Sequence, residues 1–322
     1  MYYIGVDLGG TNIAIGIVNE EQKIIEKGSV PTLPSRAPEL IVNDIADLAG
    51  SLLHKQNIPL SQVAYAGIAT PGSTNNQKGI VYYSNNLPFQ DFPMAEVFRK
   101  YLPVRQVYIE NDANAAAWAE AVAGVARGAS ISVMVTLGTG VGGGIIIDGK
   151  IFSGFNYAAG ELGHIVIKKD GRLCTCGRRG CWETYSSAPG LVLSTREKMT
   201  ECRTKGIPTL LQSEADAHDG KVNARTAFDA MKKGDVIAKS VVDEYIEDLA
   251  CGITNIINIF QPEVLSIGGG ICNEGDYLLQ PLLRILDREQ YTRDNKEKAR
   301  VLIAALGNDA GIIGAAGLGR TI

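Results

Sequence analysis

Val6–Asn19 reads VDLGGTNIAIGIVN, and Val135–Asp148 reads VTLGTGVGGGIIID. Laid over one another without a gap, both run from a short apolar strand through a glycine turn into a second apolar strand. The duplication predicts two similar lobes, each opening with a glycine hairpin. Glycine turns of this kind suit phosphate, because no side chain holds the anion away from the backbone N–H groups. Two shorter matches inside the second copy mislead. Gly138-x-Gly140-x-x-Gly143 fits a dinucleotide fingerprint, but the sequence returns to a strand where a helix is required. Gly144 to Gly149-Lys150 imitates a P-loop, yet Ile151 stands where Ser or Thr is needed. A third cluster, Gly268-Gly269-Gly270, follows an apolar run at Val264–Ile267. One such cluster alone is commonly a structural turn; three, two of them in duplicated hairpins, point to a nucleotide.

Outward from these hairpins, strands alternate with helices, which argues an α/β fold. Strands are expected at 2–8, 13–19, 23–30, 63–69, 107–110, 131–137, 144–147, 264–267 and 301–305. Helical spacing marks 39–56, with Leu40, Ile41, Ile45, Leu48 and Leu52 on one face, and 235–260, with Val242, Tyr245, Leu249, Ile253 and Ile256. An alanine-rich helix is expected at 112–123 and a closing helix at 308–317; the segment 79–91 reads as turns. At 322 residues the chain is long enough for two cores. The expected lobes are 1–118 with the C-terminal 306–322, and 119–305.

A second stretch, Gly160–Glu183, reads GELGHIVIKKDGRLCTCGRRGCWE. It holds three of the six cysteines, Cys174, Cys176 and Cys181, and one of the three histidines, His164. One imidazole and three thiolates form the closed tetrahedral set that structural zinc prefers. The competing reading is a disulfide with a spare thiol, which a reducing compartment disfavours. Cys202, Cys251 and Cys272 are scattered and read as buried thiols. Glu161 and Glu183 flank the ligands, where a metal would fix them for a polar ligand.

The residues C-T-C-G-R-R-G-C-W-E, with G-E-L-G-H upstream, resemble the signature of the ROK family of bacterial sugar kinases and repressors. DLGGTN, TLGTGVGGG and SIGGG resemble, in order, the phosphate and adenosine motifs of the wider actin-like and hexokinase-like ATPases. The resemblance implies a two-lobed actin/hexokinase-like (ribonuclease H-like) α/β fold with duplicated β-hairpin phosphate loops and a zinc-bound loop. It implies ATP-dependent phosphorylation of a hexose at O6, with glucose favoured over N-acetylmannosamine, N-acetylglucosamine, fructose or allose. ATP phosphates would lie on Gly9, Gly10, Thr11 and Asn12 and on Gly138, Thr139, Gly140, Gly142 and Gly143. Gly268, Gly269 and Gly270 would face the adenosine, and Asp7 would meet the Mg²⁺ that accompanies ATP. In the E-N-D-A-N-A pattern the family's general base falls on Asp112; taken alone, Asp112 reads equally as a helix N-cap. Sugar contacts carried over are Asn86, Asn111, Asp112, Glu161, His164 and Glu183. The sequence departs from many family members at Tyr157, where a small residue is usual and an aromatic would alter the pocket.

Composition fits this reading. A net charge of −4 gives no general attraction to nucleic acid or acidic membranes, and no apolar run approaches the roughly 20 residues of a membrane span. With no signal peptide, a cytoplasmic protein is expected. The first strand begins at Tyr2, leaving no room for the helix-turn-helix of a sugar-sensing repressor. The resemblance further implies a homodimer or homotetramer.

Overall fold

In the computed structural model, which describes residues 1–84 and 86–320, the first half runs β1 (Tyr2–Leu8), β2 (Asn12–Val18), β3 (Ile24–Pro31), α1 (Pro38–Lys55), β4 (Val63–Thr70), β5 (Ser73–Asn75), β6 (Ile80–Tyr83), β7 (Gln90–Phe92), α2 (Met94–Tyr101), β8 (Val107–Asn111) and α3 (Asp112–Ala123). β1 and β2 form an antiparallel hairpin with Leu8 opposite Ile13. β4 adds to β1 in parallel and β8 to β4, giving a five-stranded sheet in the order β3-β2-β1-β4-β8. The segment expected to be turn-rich also contains β6 and the start of β7, which form a small antiparallel sheet with β5.

The period-two alternation of a strand decides what each face meets. On β1, Ile4, Val6 and Leu8 join Ile13, Ile15 and Ile17 of β2 and Ile41, Val42 and Ile45 of α1 in one buried core. Full burial of each such side chain is worth about 1.5–3 kcal/mol. The alternate residues Tyr3, Gly5 and Asp7 turn to the opposite face. That face is covered by the closing helix, where Tyr3 packs with Ile312 and Ala316. Approach there is backbone to backbone: a Cβ on Gly67 of β4 would lie 1.8 Å from the carbonyl oxygen of Ala315.

The second half runs β9 (Ile131–Leu137), β10 (Val141–Ile147), β11 (Lys150–Ile151), α4 (Glu183–Ser186), α5 (Ala188–Lys205), α6 (Leu211–Asp216), α7 (Thr226–Lys232), α8 (Val236–Phe260), β12 (Val264–Gly268), α9 (Asp276–Glu289), β13 (Arg300–Ile303) and α10 (Ala310–Gly317). Its sheet has the order β11-β10-β9-β12-β13, the pattern of the first sheet repeated. β10 begins at Val141, three residues earlier than expected, because Val141 and Ile145 are buried and Gly142 to Gly144 continue the extended backbone. The closing helix starts at Ala310 after a 3₁₀ turn at Gly307–Asp309.

Two compact units emerge. One holds 1–134, 144–160 and 304–322, of which Thr321 and Ile322 are outside the described residues; the other holds 135–143 and 161–303. These bounds differ from those of the expected lobes, 1–118 with 306–322 and 119–305. α3 continues to Ala123, and Trp118 packs with Met134, Ile146 and, through Ile151 and Ala304, with segments far along the chain. In the second unit α8 is the spine. Asp235 caps it by accepting from the N–H groups of Ile237 (2.7 Å) and Ala238 (2.9 Å), and its expected apolar face is buried. No described helix is long and apolar enough to cross a membrane.

Candidate active site

The parallel strands β4 and β8 end side by side, with Thr70 opposite Asn111. Asn111, not Asp112, is the N-cap of α3: its Oδ1 accepts from the N–H groups of Ala113 (2.9 Å) and Asn114 (3.2 Å). Its Nδ2 donates to the carbonyl of Gly72 at 3.1 Å, so the amide is pinned at both ends. The capping reading of Asp112 is thereby displaced onto its neighbour. Asp112 holds the first helical position, with Oδ1 accepting from Ala113 N–H at 2.9 Å.

Asp7 stands at the end of β1, where the alternation turns it toward α10. A Cβ on Gly311 would lie 2.4 Å from Asp7 Oδ2, so the carboxylate rests directly on the first turn of that helix. Burial, and then the like charge of Asp112, push Asp7 up to about 6; burial likewise raises Asp112. Two carboxylates that share a field and resist ionisation are what a site for a divalent cation or a transferred proton provides. The adjoining turn closes with Gly9 N–H donating to Asn12 O at 3.0 Å. Thr32 holds it from below, its Oγ1 donating to Gly9 O at 2.7 Å. Thr11 and Asn12 are exposed, and the exposed Asn86 lies beside the turn, its Cβ 3.5 Å from where a Cβ on Gly10 would stand.

In the second unit the matching turn closes more tightly, with Gly138 N–H donating to Gly140 O at 3.0 Å, two positions on where Gly9 reaches three. Glu183, at the start of α4, reaches this turn: Val141 N–H donates to its Oε2 at 3.4 Å, and a Cβ on Gly140 would lie 2.5 Å from that oxygen. Its Oε1 lies 3.3 Å from Cys174 Sγ and 3.8 Å from His164 Nδ1. Glu161 precedes the short turn Leu162–His164, its carbonyl accepting from His164 N–H. Gly269 packs against the carbonyl of Leu137, and Gly270 has open space at its Cβ.

The ligand atoms of His164, Cys174, Cys176 and Cys181 all lie within 4.8 Å of one another. Cys176 Sγ and Cys181 Sγ are 3.6 Å apart, as are Cys174 Sγ and His164 Nδ1. A tetrahedron with metal–sulfur bonds of about 2.3 Å and metal–nitrogen bonds of about 2.0–2.1 Å has edges near 3.5–3.8 Å, so the donor set fits a metal. Nδ1 faces the sulfurs, which leaves Nε2 as the second ring nitrogen. The loop is tied to the second unit by fully buried Trp182, whose Nε1 donates to Asp248 O at 3.0 Å.

A model of the ROK family matches residues 3–322. The chain belongs to the ROK family. It is 37% identical over 314 residues to a glucokinase of Halalkalibacterium halodurans, covering 97% of this chain and 93% of that one. A glucokinase of Thermotoga maritima is 35% identical over 318 residues, covering 98% and 96%. Among solved structures, a ROK family glucokinase from Streptomyces griseus in complex with glucose and AMPPNP superposes with a TM-score of 0.82 at 32% identity, covering 100% of each chain. The actin/hexokinase-like fold follows from this family membership and from the repeated sheet order.

Glu110 of β8 joins the site without a role expected from sequence. It is 3% exposed, and both its carboxylate oxygens are engaged. Its only signal is its place in the E-N-D run, where Asp112 draws the chemical argument. Tyr157, the unusual aromatic, has φ +61°, a left-handed backbone that bulky residues rarely adopt.

Proposed function

We propose that this ROK protein is an ATP-dependent hexokinase that phosphorylates glucose at O6 to give glucose 6-phosphate. The observation that carries the mechanism is the Asp112 carboxylate, fixed at the first position of α3 by the Asn111 cap and raised by burial. In phosphoryl transfer the protein positions the reactants and neutralises charge, while one carboxylate accepts the hydroxyl proton. Asp112 takes that proton from the O6 hydroxyl as oxygen attacks the γ-phosphorus and the bond to the β–γ bridging oxygen breaks, releasing ADP. A base with a raised pKa accepts a proton more readily near neutrality.

The turns at Gly9–Asn12 and Gly138–Gly143 hold the phosphates through those backbone N–H groups not already spent on Asn12 O, Gly140 O and Glu183 Oε2, with Gly268–Gly270 beside the adenosine. Mg²⁺, arriving with ATP, supplies charge neutralisation near Asp7. Asn86, Asn111, Glu161, His164 and Glu183 pair the sugar hydroxyls, since each one buried unpaired costs about 1–3 kcal/mol. Zinc on His164, Cys174, Cys176 and Cys181 is structural; it orders a loop whose Leu173 and Cys176 are exposed. The enzyme works in the cytoplasm as a homodimer or homotetramer.

The test is ADP release coupled to sugar, measured for glucose, mannose, fructose and the two N-acetylhexosamines. Glucose should give the highest kcat/KM. A site that pairs a hydroxyl rejects an analogue lacking it by up to about 10⁴-fold. An N-acetyl sugar outrunning glucose would overturn the glucose assignment.

A further inference from the structure

Glu110 gathers four donors. Oε1 accepts from the backbone N–H of Asn111 at 2.9 Å and from Asn114 Nδ2 at 3.1 Å. Oε2 accepts from Asn76 Nδ2 at 3.2 Å and from Ser153 Oγ at 3.4 Å, the longest of the set. All four partners are neutral, so none repays the burial of a carboxylate with a full opposite charge. An apolar side chain at this position would strand all four donors. The carboxylate joins three segments distant in sequence: the turn after β5, the β8–α3 junction that presents Asp112, and the segment after β11.

The last of these is itself a closed loop. Ala159 N–H donates to Ser153 O at 3.0 Å, and Gly154 and Tyr157 both have positive φ between those ends. Its tip carries Phe155, 98% exposed. Ser153 is therefore the neck by which a loop containing Tyr157 is moored to the carboxylate that also fixes the Asp112 junction.

We infer that Glu110 is a positioning residue for phosphoryl transfer, holding the Asp112 junction and the 153–159 loop in one register about the hexose. This rests on the hexokinase reading. The geometry explains why two acceptor oxygens are required. In Glu110→Gln the new amide meets either the Asn111 N–H with Asn114 Nδ2 or Asn76 Nδ2, donor against donor, while the Ser153 hydroxyl can turn to accept. Either the junction or the turn after β5 then separates, and the register they share with the loop is lost.

The experiment compares wild type, Glu110→Gln and Ser153→Ala in steady-state kinetics, glucose-binding calorimetry and thermal melting. For Glu110→Gln the expected result is a fall in kcat of about 10- to 100-fold, in line with a misplacement of about an ångström at a reacting group. The KM for glucose rises, while the KM for ATP stays within about twofold, because the residues proposed to hold phosphate are not among the partners of Glu110. Ser153→Ala removes one donor from Oε2 and nothing else; it should raise the glucose KM and weaken glucose binding by about three- to tenfold, again sparing ATP. A merely structural Glu110 would lower the melting temperature and leave the kinetics per folded molecule intact. That outcome, or a glucose KM within twofold of wild type in Ser153→Ala, overturns the inference, and Ser153→Ala decides alone if Glu110→Gln fails to fold. If wild type phosphorylates another hexose instead, the glucose reading falls and the same comparison on that sugar still judges Glu110.

Discussion

Asp7 and Asp112 set the pH behaviour of the site. Burial and mutual repulsion raise Asp7 from 3.8 to about 6, and burial raises Asp112. Activity that needs both carboxylates ionised should therefore climb as pH rises through about 6 and be lost below it. Stability moves the other way. The folded pKa of Asp7 lies above its unfolded value, so the unfolded chain releases its proton first. The stabilisation from this group is full below pH 3.8 and is lost as pH rises through about 6. Asp7→Asn should thus melt higher than wild type at pH 8, with the gain shrinking toward pH 4, and should turn over poorly at both; an unchanged melting temperature at pH 8 would contradict the assignment. Asp112→Asn keeps shape and helix position but removes the proposed proton acceptor. Its kcat should fall by about 10²–10⁴-fold, with sugar affinity by calorimetry changed much less. Near-normal turnover would mean that another carboxylate is the base.

Among the elements, α10 and the His/Cys loop make the sharpest demands. Gly311→Ala in an ordinary helix would gain about 1 kcal/mol of helix propensity. Here the added methyl would stand 2.4 Å from Asp7 Oδ2, so the carboxylate must move. We expect Gly311→Ala to lower kcat and raise the KM for Mg-ATP, even if thermal stability holds; wild-type kinetics would show that Asp7 tolerates displacement. The His/Cys loop exposes Leu173, Cys176, Arg178 and Arg179 at its outer edge. Purified protein should carry about one zinc per chain. Chelation or Cys176→Ala should release it and expose the Arg178–Arg179 bonds to trypsin. Absence of zinc in active enzyme would remove the metal from the account, as would unchanged trypsin resistance after chelation.

For the whole molecule, the consequence lies in how the chain threads its two units. The first unit is completed only by segments 144–160 and 304–322. Without α10 the face of the first sheet carrying Tyr3, Gly5 and Tyr65 has no cover. A fragment ending at residue 134 should therefore fail to give a cooperative melt, and one covering 1–134 that folds unaided would show that α10 is dispensable. The lobe expected from sequence ends at 118 because the glycine hairpins mark where each repeat begins; nothing in them marks where a core closes. Trp118 on Met134 and Ile146 decides that, and such packing joins residues whose proximity no local pattern encodes.

What the sequence determines by itself is whatever depends on spacing along the chain. Hairpins at 6–19 and 135–148, the period-two strands, the apolar face of α8 and the His164, Cys174, Cys176, Cys181 set are all local, and each is legible from the order of residues alone. Only the tertiary structure decides which residues from distant segments share a site. Sequence leaves Asp112 as base or cap; the Asn111 hydrogen bonds assign the cap. Glu110, Asn76 and Ser153 carry no joint signal, because hydrogen bonds across 34 and 43 positions leave no periodicity to read. Asp7 needs Gly311, 304 residues away, to have its place fixed, since a close approach of that kind is a property of packed surfaces and not of either segment alone.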